Sequence, residues 1–206
     1  MSAQRKNTEH PIHQLLQERW SPRAFADKPV EKEKLLSLLE AARWAPSSFN
    51  EQPWNYIVTC KQNSDAFQNL LGALNERNRE WAQHAPVLLV SIAKINFSHN
   101  GSPNPYSWYD VGQAAANMTT QATALGLYLH QMAGFDREAV REMYHIPHDF
   151  EPVAIMAVGY PGDPEKLPEP FQKSETAVRN RKPLSDFIFT GLWNQPSKLI
   201  TDESND

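Results

Sequence analysis

Two arginines and a serine fall within five residues at Arg19-Trp20-Ser21-Pro22-Arg23. Guanidinium groups grip phosphate or carboxylate bidentately, so this run can converge on an anion. Read alone, both arginines are first of all solvated surface residues. A second cationic run, Arg179-Asn180-Arg181-Lys182-Pro183, is a solvated patch by itself, but beside Arg19 and Arg23 it can complete a small anion site. The third segment is Ala45-Pro46-Ser47-Ser48-Phe49-Asn50-Glu51-Gln52-Pro53-Trp54. Its two inner prolines bracket small hydroxyl and amide side chains, as suits a rigid loop recognising a polar ring edge or an ordinary helix-to-strand connection.

Other chemistries find less support. The chain has eight glycines and sixteen prolines, and neither G-x-G-x-x-G nor G-x-x-x-x-G-K-[ST] occurs. A single cysteine, Cys60, excludes an internal disulfide framework and any multi-cysteine metal centre, and it reads as a small packed hydrophobe. His10-x-x-His13 has no carboxylate or cysteine partner at ligand spacing, and Pro147 interrupts the helical geometry that His145 and His148 would need, so no metal site is expected. His130 reads as a structural or solvated imidazole, with polarisation of a substrate as the sharper alternative. Phe97, Tyr106, Trp108 and Tyr109 form either a substrate lid or a surface loop pinned by buried rings. No G-x-S-x-G or Cys/His arrangement supports a hydrolase or transferase.

The elements that must position these residues follow from hydrophobic periodicity. A short helix is expected over 10–18 and a stronger one from about Glu31 to Trp44, with its apolar stripe at Leu35, Leu36, Leu38, Leu39 and Ala42. Trp54–Cys60, Pro86–Ala93 and Val153–Tyr160 read as strands, the last two buried on both faces. Helices are expected around Ala66–Asn78 and over Tyr109–His130, with a loop at 94–107 and irregular chain at Pro161–Pro170. Phe187–Phe189 is a short β-capable run. Three strong strands among helices favour an α+β fold, a mixed sheet wrapped by helices, over a doubly wound parallel sheet.

At 206 residues the chain is about 1.4 times a ~150-residue domain, so one domain is expected, with flexible ends at about 1–9 and 195–206. Twenty Lys and Arg against twenty-four Asp and Glu give −4, which argues against a broad nucleic-acid surface. The polar opening lacks an apolar targeting core, and no 18-residue apolar run occurs, so a cytoplasmic protein without membrane partners is expected.

Five segments in order resemble the flavin-dependent nitroreductase family: RWSPRAF at 19–25, LLEAARWAPSSFNEQPW at 38–54, HAPVLLV at 84–90, HQMAGFD at 130–136 and RNRKPL at 179–184. The resemblance covers roughly residues 10–190. It implies a mainly antiparallel sheet surrounded by helices, a C-terminal extension exchanged in a homodimer, and FMN bound non-covalently at the dimer interface. Arg19 and Ser21 would meet the phosphate and ribityl end, and Arg23 the pyrimidine edge. Pro46, Ser47, Ser48, Asn50 and Gln52 would reach the flavin held mainly by the other subunit. Asn78 would contact the isoalloxazine, and Gln131, Met132, Ala133 and Gly134 would pass beside the ring. Arg181, with Arg179 or Lys182, would close on the phosphate.

The sequence departs from many members at Ala133-Gly134, where they carry Glu-Gly; this would alter charge near the ring without touching a backbone contact. The implied chemistry is ping-pong: NADH or NADPH gives hydride to FMN N5, and a nitro, quinone or related small-molecule electron acceptor follows, with no catalytic side chain required. A non-catalytic flavin-binding regulator on the same scaffold is the alternative.

Overall fold

The computed structural model describes residues 8–201. The parts of the expected flexible ends at 1–7 and 202–206 lie outside the described residues. At the other side of the C-terminal boundary, Pro196 bridges Phe189 and Lys198–Thr201 form a short helix. Four strands make one sheet: β1 (Trp54–Cys60), β2 (Val87–Lys94), β3 (Tyr128–Met132) and β4 (Phe150–Gly159), in the order β1-β2-β4-β3. All three pairings are antiparallel, so the expected mainly antiparallel α+β sheet is present.

β2 is central, and its apolar run serves both faces, as period-2 alternation requires. Leu88, Val90 and Ile92 pack with Phe67, Leu70 and Trp81 from helices α3 (Ser64–Gly72) and α4 (Glu76–Ala82). Val87 and Leu89 face the opposite cluster, with Leu38 and Ala42 of α2 (Lys32–Arg43) and Ala114, Ala115, Met118 and Ala122 of α5 (Ser107–Ala124). Alanines on that face of α5 allow α2 and the sheet to approach closely.

Three sequence expectations need correction. The helix expected over Tyr109–His130 ends at Ala124, and after a three-residue stop its last three residues open strand β3. Gly126 adopts φ +71°, its N–H donates to Thr123 O (3.1 Å), and Leu127 N–H reaches back to Ala122 O (2.8 Å). This is a Schellman stop, which glycine makes inexpensive, and it buries Leu127 as its hydrophobic contact. The helix expected over Ala66–Asn78 is two helices. Asn75 caps the second by accepting Asn78 N–H at 2.9 Å, while Leu74 bridges Phe135. The stretch Pro161–Pro170, expected to be irregular, ends by opening helix α7 (Glu169–Thr176), the next α-helix after α6 (Arg137–Met143); α7 is preceded by Pro168 and buries Phe171 and Glu175.

His130 projects from β3 onto Trp81, with ring centroids 4.5 Å apart, and its Nδ1 lies 2.8 Å from Pro22 O. The carbonyl can only accept, so Nδ1 carries the proton. Burial is the main cause that pushes the imidazole pKa down to about 4; Arg23 adds to it, while bonds to Pro22 and Ser21 oppose it. The structural reading of this histidine is therefore the one its surroundings support.

Two outcomes follow for stability. A Cβ at Gly126 would meet nothing within 4 Å, so Gly126→Ala carries only left-handed backbone strain. It should cost about 1–2 kcal/mol in urea denaturation. The unfolded chain protonates His130 near 6.5 whereas the folded chain keeps it neutral down to about 4. As pH falls, the unfolded state therefore takes up the proton first, and stability is lost between those values. Relative to His130→Gln, the native protein should lose about 2–3 kcal/mol between pH 7 and pH 4. Parallel pH curves for the two proteins would contradict this.

Candidate functional site

Helix α1 (Gln14–Glu18) ends at Arg19, and the chain then runs to Ala24 without helix or strand. Side chains from elsewhere hold this arm by its backbone. Arg179 donates through Nη2 to Gln17 O (2.7 Å) and through Nη1 to Arg19 O. His130 takes Pro22 O. The Glu175 carboxylate accepts Arg23 N–H through both oxygens (3.0 and 2.9 Å) and Ala24 N–H through Oε1 (2.9 Å). Trp20 sets its ring edge against Tyr128 of β3, 5.8 Å between centroids.

This packing brings the two cationic runs together. Arg19 and Arg179 both have lowered guanidinium pKa values, first because burial strips their water, then because of neighbouring cations: Arg181 acts on Arg19, and Arg19 and Arg181 act on Arg179. None of the ion pairs among the described residues involves these three arginines. Arg19 Nη1 donates to Ser21 Oγ at 3.3 Å, and Arg179 Nε is buried without a partner. Three like charges assembled in this way fit a doubly charged phosphate. Arg181 and Lys182 are exposed, whereas both Nη atoms of Arg179 are committed to carbonyls.

Arg23 turns toward α7. Its Nη1 lies 3.4 Å from Ser174 Oγ, and its guanidinium carbon 5.9 Å from the Phe171 ring centroid. It also borders a cavity of about 520 Å³ shared with Lys61, His84, Lys166 and two aspartates, Asp27 and Asp163.

At the far end of β3, Gln131 and Ala133 are exposed and Met132 is buried. Gly134 O accepts Asn75 N–H (3.0 Å) and Asn78 Nδ2 (3.3 Å), so two of the sequence-derived candidates, Asn78 and Gly134, touch. A Cβ at Gly134 would run into Asn75 Nδ2 and stand 2.9 Å from Asn78 Nδ2, which explains a glycine there. An open depression of about 560 Å³ lies between residues 72–75 and 133–136.

The 45–54 loop lies elsewhere. It leads into β1, and β1 and β3 are opposite edges of the sheet. Three strand spacings of about 4.8 Å put roughly 14 Å between those edges. Pro46 is exposed, Ser47 Oγ accepts Gln52 N–H (3.0 Å), Ser48 N–H donates to the buried Asp110 (3.0 Å), and Gln52 Nε2 reaches Asn50 O (3.2 Å). Phe49, Asn50 and Gln52 have φ of 54°, 53° and 53°, a left-handed conformation costing each non-glycine residue about 1 kcal/mol or more. Phe49 is 82% exposed and sets its ring edge on the buried Phe97 at 5.7 Å. Of the four aromatics considered for a lid, Phe97 is thus pinned, while Trp108 and Tyr109 belong to the first turn of α5.

Glu175 and Asn75 escaped the sequence reading, which places Asp110 only in the core at the start of α5. The available signals were Glu175 standing four residues after Phe171 on one helix face, the Asn-x-x-Asn cap at 75–78, and Asp110 within the buried stripe of α5.

The nitroreductase family model matches residues 16–160, more than half of the chain. A crystal structure of an FMN-containing oxidoreductase superposes with a TM-score of 0.89 at 35% identity, covering 95% of this chain and 99% of the other. A nitroreductase family protein from Clostridium difficile 630 gives 0.65 at 30% identity, over 84% and 94% of the two chains. A Streptomyces coelicolor protein, provisionally named an NADH dehydrogenase/NAD(P)H nitroreductase, is 29% identical over 161 residues, 68% of this chain and 78% of its own. With this family match and these relatives, the chain belongs to the nitroreductase family.

Proposed function

We propose that this chain is an FMN-dependent oxidoreductase that takes electrons from NADH or NADPH and delivers them to nitro, quinone or related acceptors in a ping-pong cycle. The observation that carries the reading is the convergence of Arg19, Arg179 and Arg181 free of ion pairs with described carboxylates, on an arm that runs beside β3. The similarity to an FMN-containing oxidoreductase and to proteins named for NAD(P)H supports the same cofactors. When bound, FMN supplies hydride acceptance and onward electron transfer, so no side-chain nucleophile is needed.

The residues divide the remaining tasks. Arg19 and Arg181 hold the phosphate, and Ser21 adds a hydroxyl. Arg179 orients Arg19 through its carbonyl. Arg23 supplies positive charge for the pyrimidine edge, which stabilises negative charge gained there on reduction. Asn75 and Asn78 fix Gly134, and Gln131 to Gly134 border the ring. The loop carrying Pro46, Ser47, Ser48, Asn50 and Gln52 serves the site of the second subunit, because it occupies the other sheet edge. Trp44 (73% exposed), Phe49 and Tyr109 (69%) are the apolar surface that a second copy would cover in a homodimer. A lone cysteine, with no internal disulfide to maintain, accords with a cytoplasmic location.

Purified protein should carry or take up FMN, and its flavin absorption should bleach anaerobically with one of the two nicotinamides. A protein that never acquires flavin colour would refute the reading; bound flavin that neither nicotinamide reduces would favour the non-catalytic binder. Arg181→Ala should weaken FMN binding about tenfold to a hundredfold, the range for charge-assisted bonds, whereas Lys182→Ala should change it less than about threefold. Equal effects at the two positions would overturn the phosphate assignment. Sedimentation should give twice the mass of one chain.

A further inference from the structure

One face of α7 closes on Arg23 in three ways. Phe171, Ser174 and Glu175 stand at i, i+3 and i+4, the spacing that aligns side chains on a helix. The Phe171 ring lies under the Arg23 guanidinium, Ser174 Oγ accepts from it, and Glu175 takes the backbone N–H groups of Arg23 and Ala24. Glu175 is only 2% exposed, and burying a carboxylate is costly unless hydrogen bonds offset the lost water. Here burial raises its pKa, while the N–H donors of Ala24 and Arg23 and the Arg23 charge pull it back. Arg23 N–H is shared between both carboxylate oxygens, an arrangement a neutral amide cannot reproduce because one oxygen becomes an NH₂ facing the donor. Helix α7 also lies beyond residues 16–160 that the family model matches.

We infer that Glu175 is a positioning residue of the cofactor site, which sets the placement of the Arg23 guanidinium by fixing its backbone from α7. The inference rests on the flavin-binding reading above. Glu175 touches no ligand in this role; it acts through Arg23, and Ser174 assists from the side-chain end.

A double-mutant cycle read by FMN fluorescence titration of apoprotein tests this. Glu175→Gln should weaken FMN about tenfold, the loss expected when a buried hydrogen-bonding partner is removed, and Arg23→Ala by a similar factor. The double variant should bind no more than about twofold worse than Arg23→Ala, because the guanidinium that Glu175 places directly is gone. Additive losses near a hundredfold, or native affinity in Glu175→Gln, would overturn the inference. A merely structural carboxylate would lower the apoprotein melting temperature without coupling to the Arg23 side chain. Should Glu175→Gln fail to fold, Ser174→Ala takes its place in the cycle: about a threefold loss beside Arg23, and none in the Arg23→Ala background. Failure of the native apoprotein to bind FMN would instead strike the proposed function, so the two failures are distinguishable.

Discussion

A segment without helix or strand must still satisfy its backbone hydrogen-bonding groups, and the arm that runs from the end of α1 to Ala24 relies on side chains from elsewhere for much of this. Arg179 takes the carbonyls of Gln17 and Arg19, His130 that of Pro22, and Glu175 the N–H groups of Arg23 and Ala24. Gly162 N–H then takes Ala24 O, and Ala26 N–H takes Tyr160 O, which ties the end of the arm to the exit of β4. The arm's shape is thus inherited from β3, β4 and α7. Removing any one anchor frees a polar group in partly buried surroundings, a cost that favours this conformation of the arm over alternatives.

The same dependence explains where the pieces lie. β3 is an edge strand, and the arm runs alongside it with Trp20 against Tyr128 and Pro22 under His130. Its exit, at Gly134, is pinned by Asn75 and Asn78 from the start of α4. One edge of the sheet therefore collects the cations at one end and the asparagine clamp at the other. The strained loop 45–54 sits at the opposite edge, braced by Asp110 and Phe97. Three left-handed residues in so short a span persist only where the surroundings over-determine them, and strain of that kind concentrates at binding surfaces. Under the proposed function, a site that draws on both edges takes its 45–54 loop from a second copy of the chain.

Much of this arrangement is legible in the sequence, and the gaps have physical causes. β1, β2, β4 and α2 announce themselves through continuous apolar runs or a helical stripe with clear boundaries. β3 hides because Val111, Ala114, Ala115, Met118, Ala122 and Leu125 carry a helical period up to Gly126, and the two residues that stop the helix, Gly126 and Leu127, do so by a backbone motif that periodicity does not register. The clusters at 19–23 and 179–182 are visible as charge, yet their convergence across 160 residues is a tertiary fact. Glu175 reads as an ordinary surface acid on a polar helix. Only the burial of Phe171 four residues earlier shows which way that face turns. Arg179 is indistinguishable from Arg181 by type, and geometry separates the one that ties down the carbonyls of Gln17 and Arg19 from the exposed one, which bonds only the adjacent Asn180 O.

The scarcity of glycine and the role of these anchors are two sides of one choice. A glycine-rich phosphate loop offers backbone N–H groups to the anion, and glycine lets the main chain approach it. Eight glycines in 206 residues, with no such loop among them, leave that route closed. In this protein the N–H groups of Arg23 and Ala24 are consumed by a buried carboxylate, and the carbonyls of Gln17, Arg19 and Pro22 by a guanidinium and an imidazole. With those main-chain groups already engaged, the guanidinium side chains are what the arm presents to an anion. Side chains carry more rotational freedom than a backbone loop, so their grip depends on a fixed base. The buried Glu175, the half-buried His130 and the carbonyl-bound Arg179 supply that base, so under the proposed function residues that contact no ligand matter to the site as much as those that do.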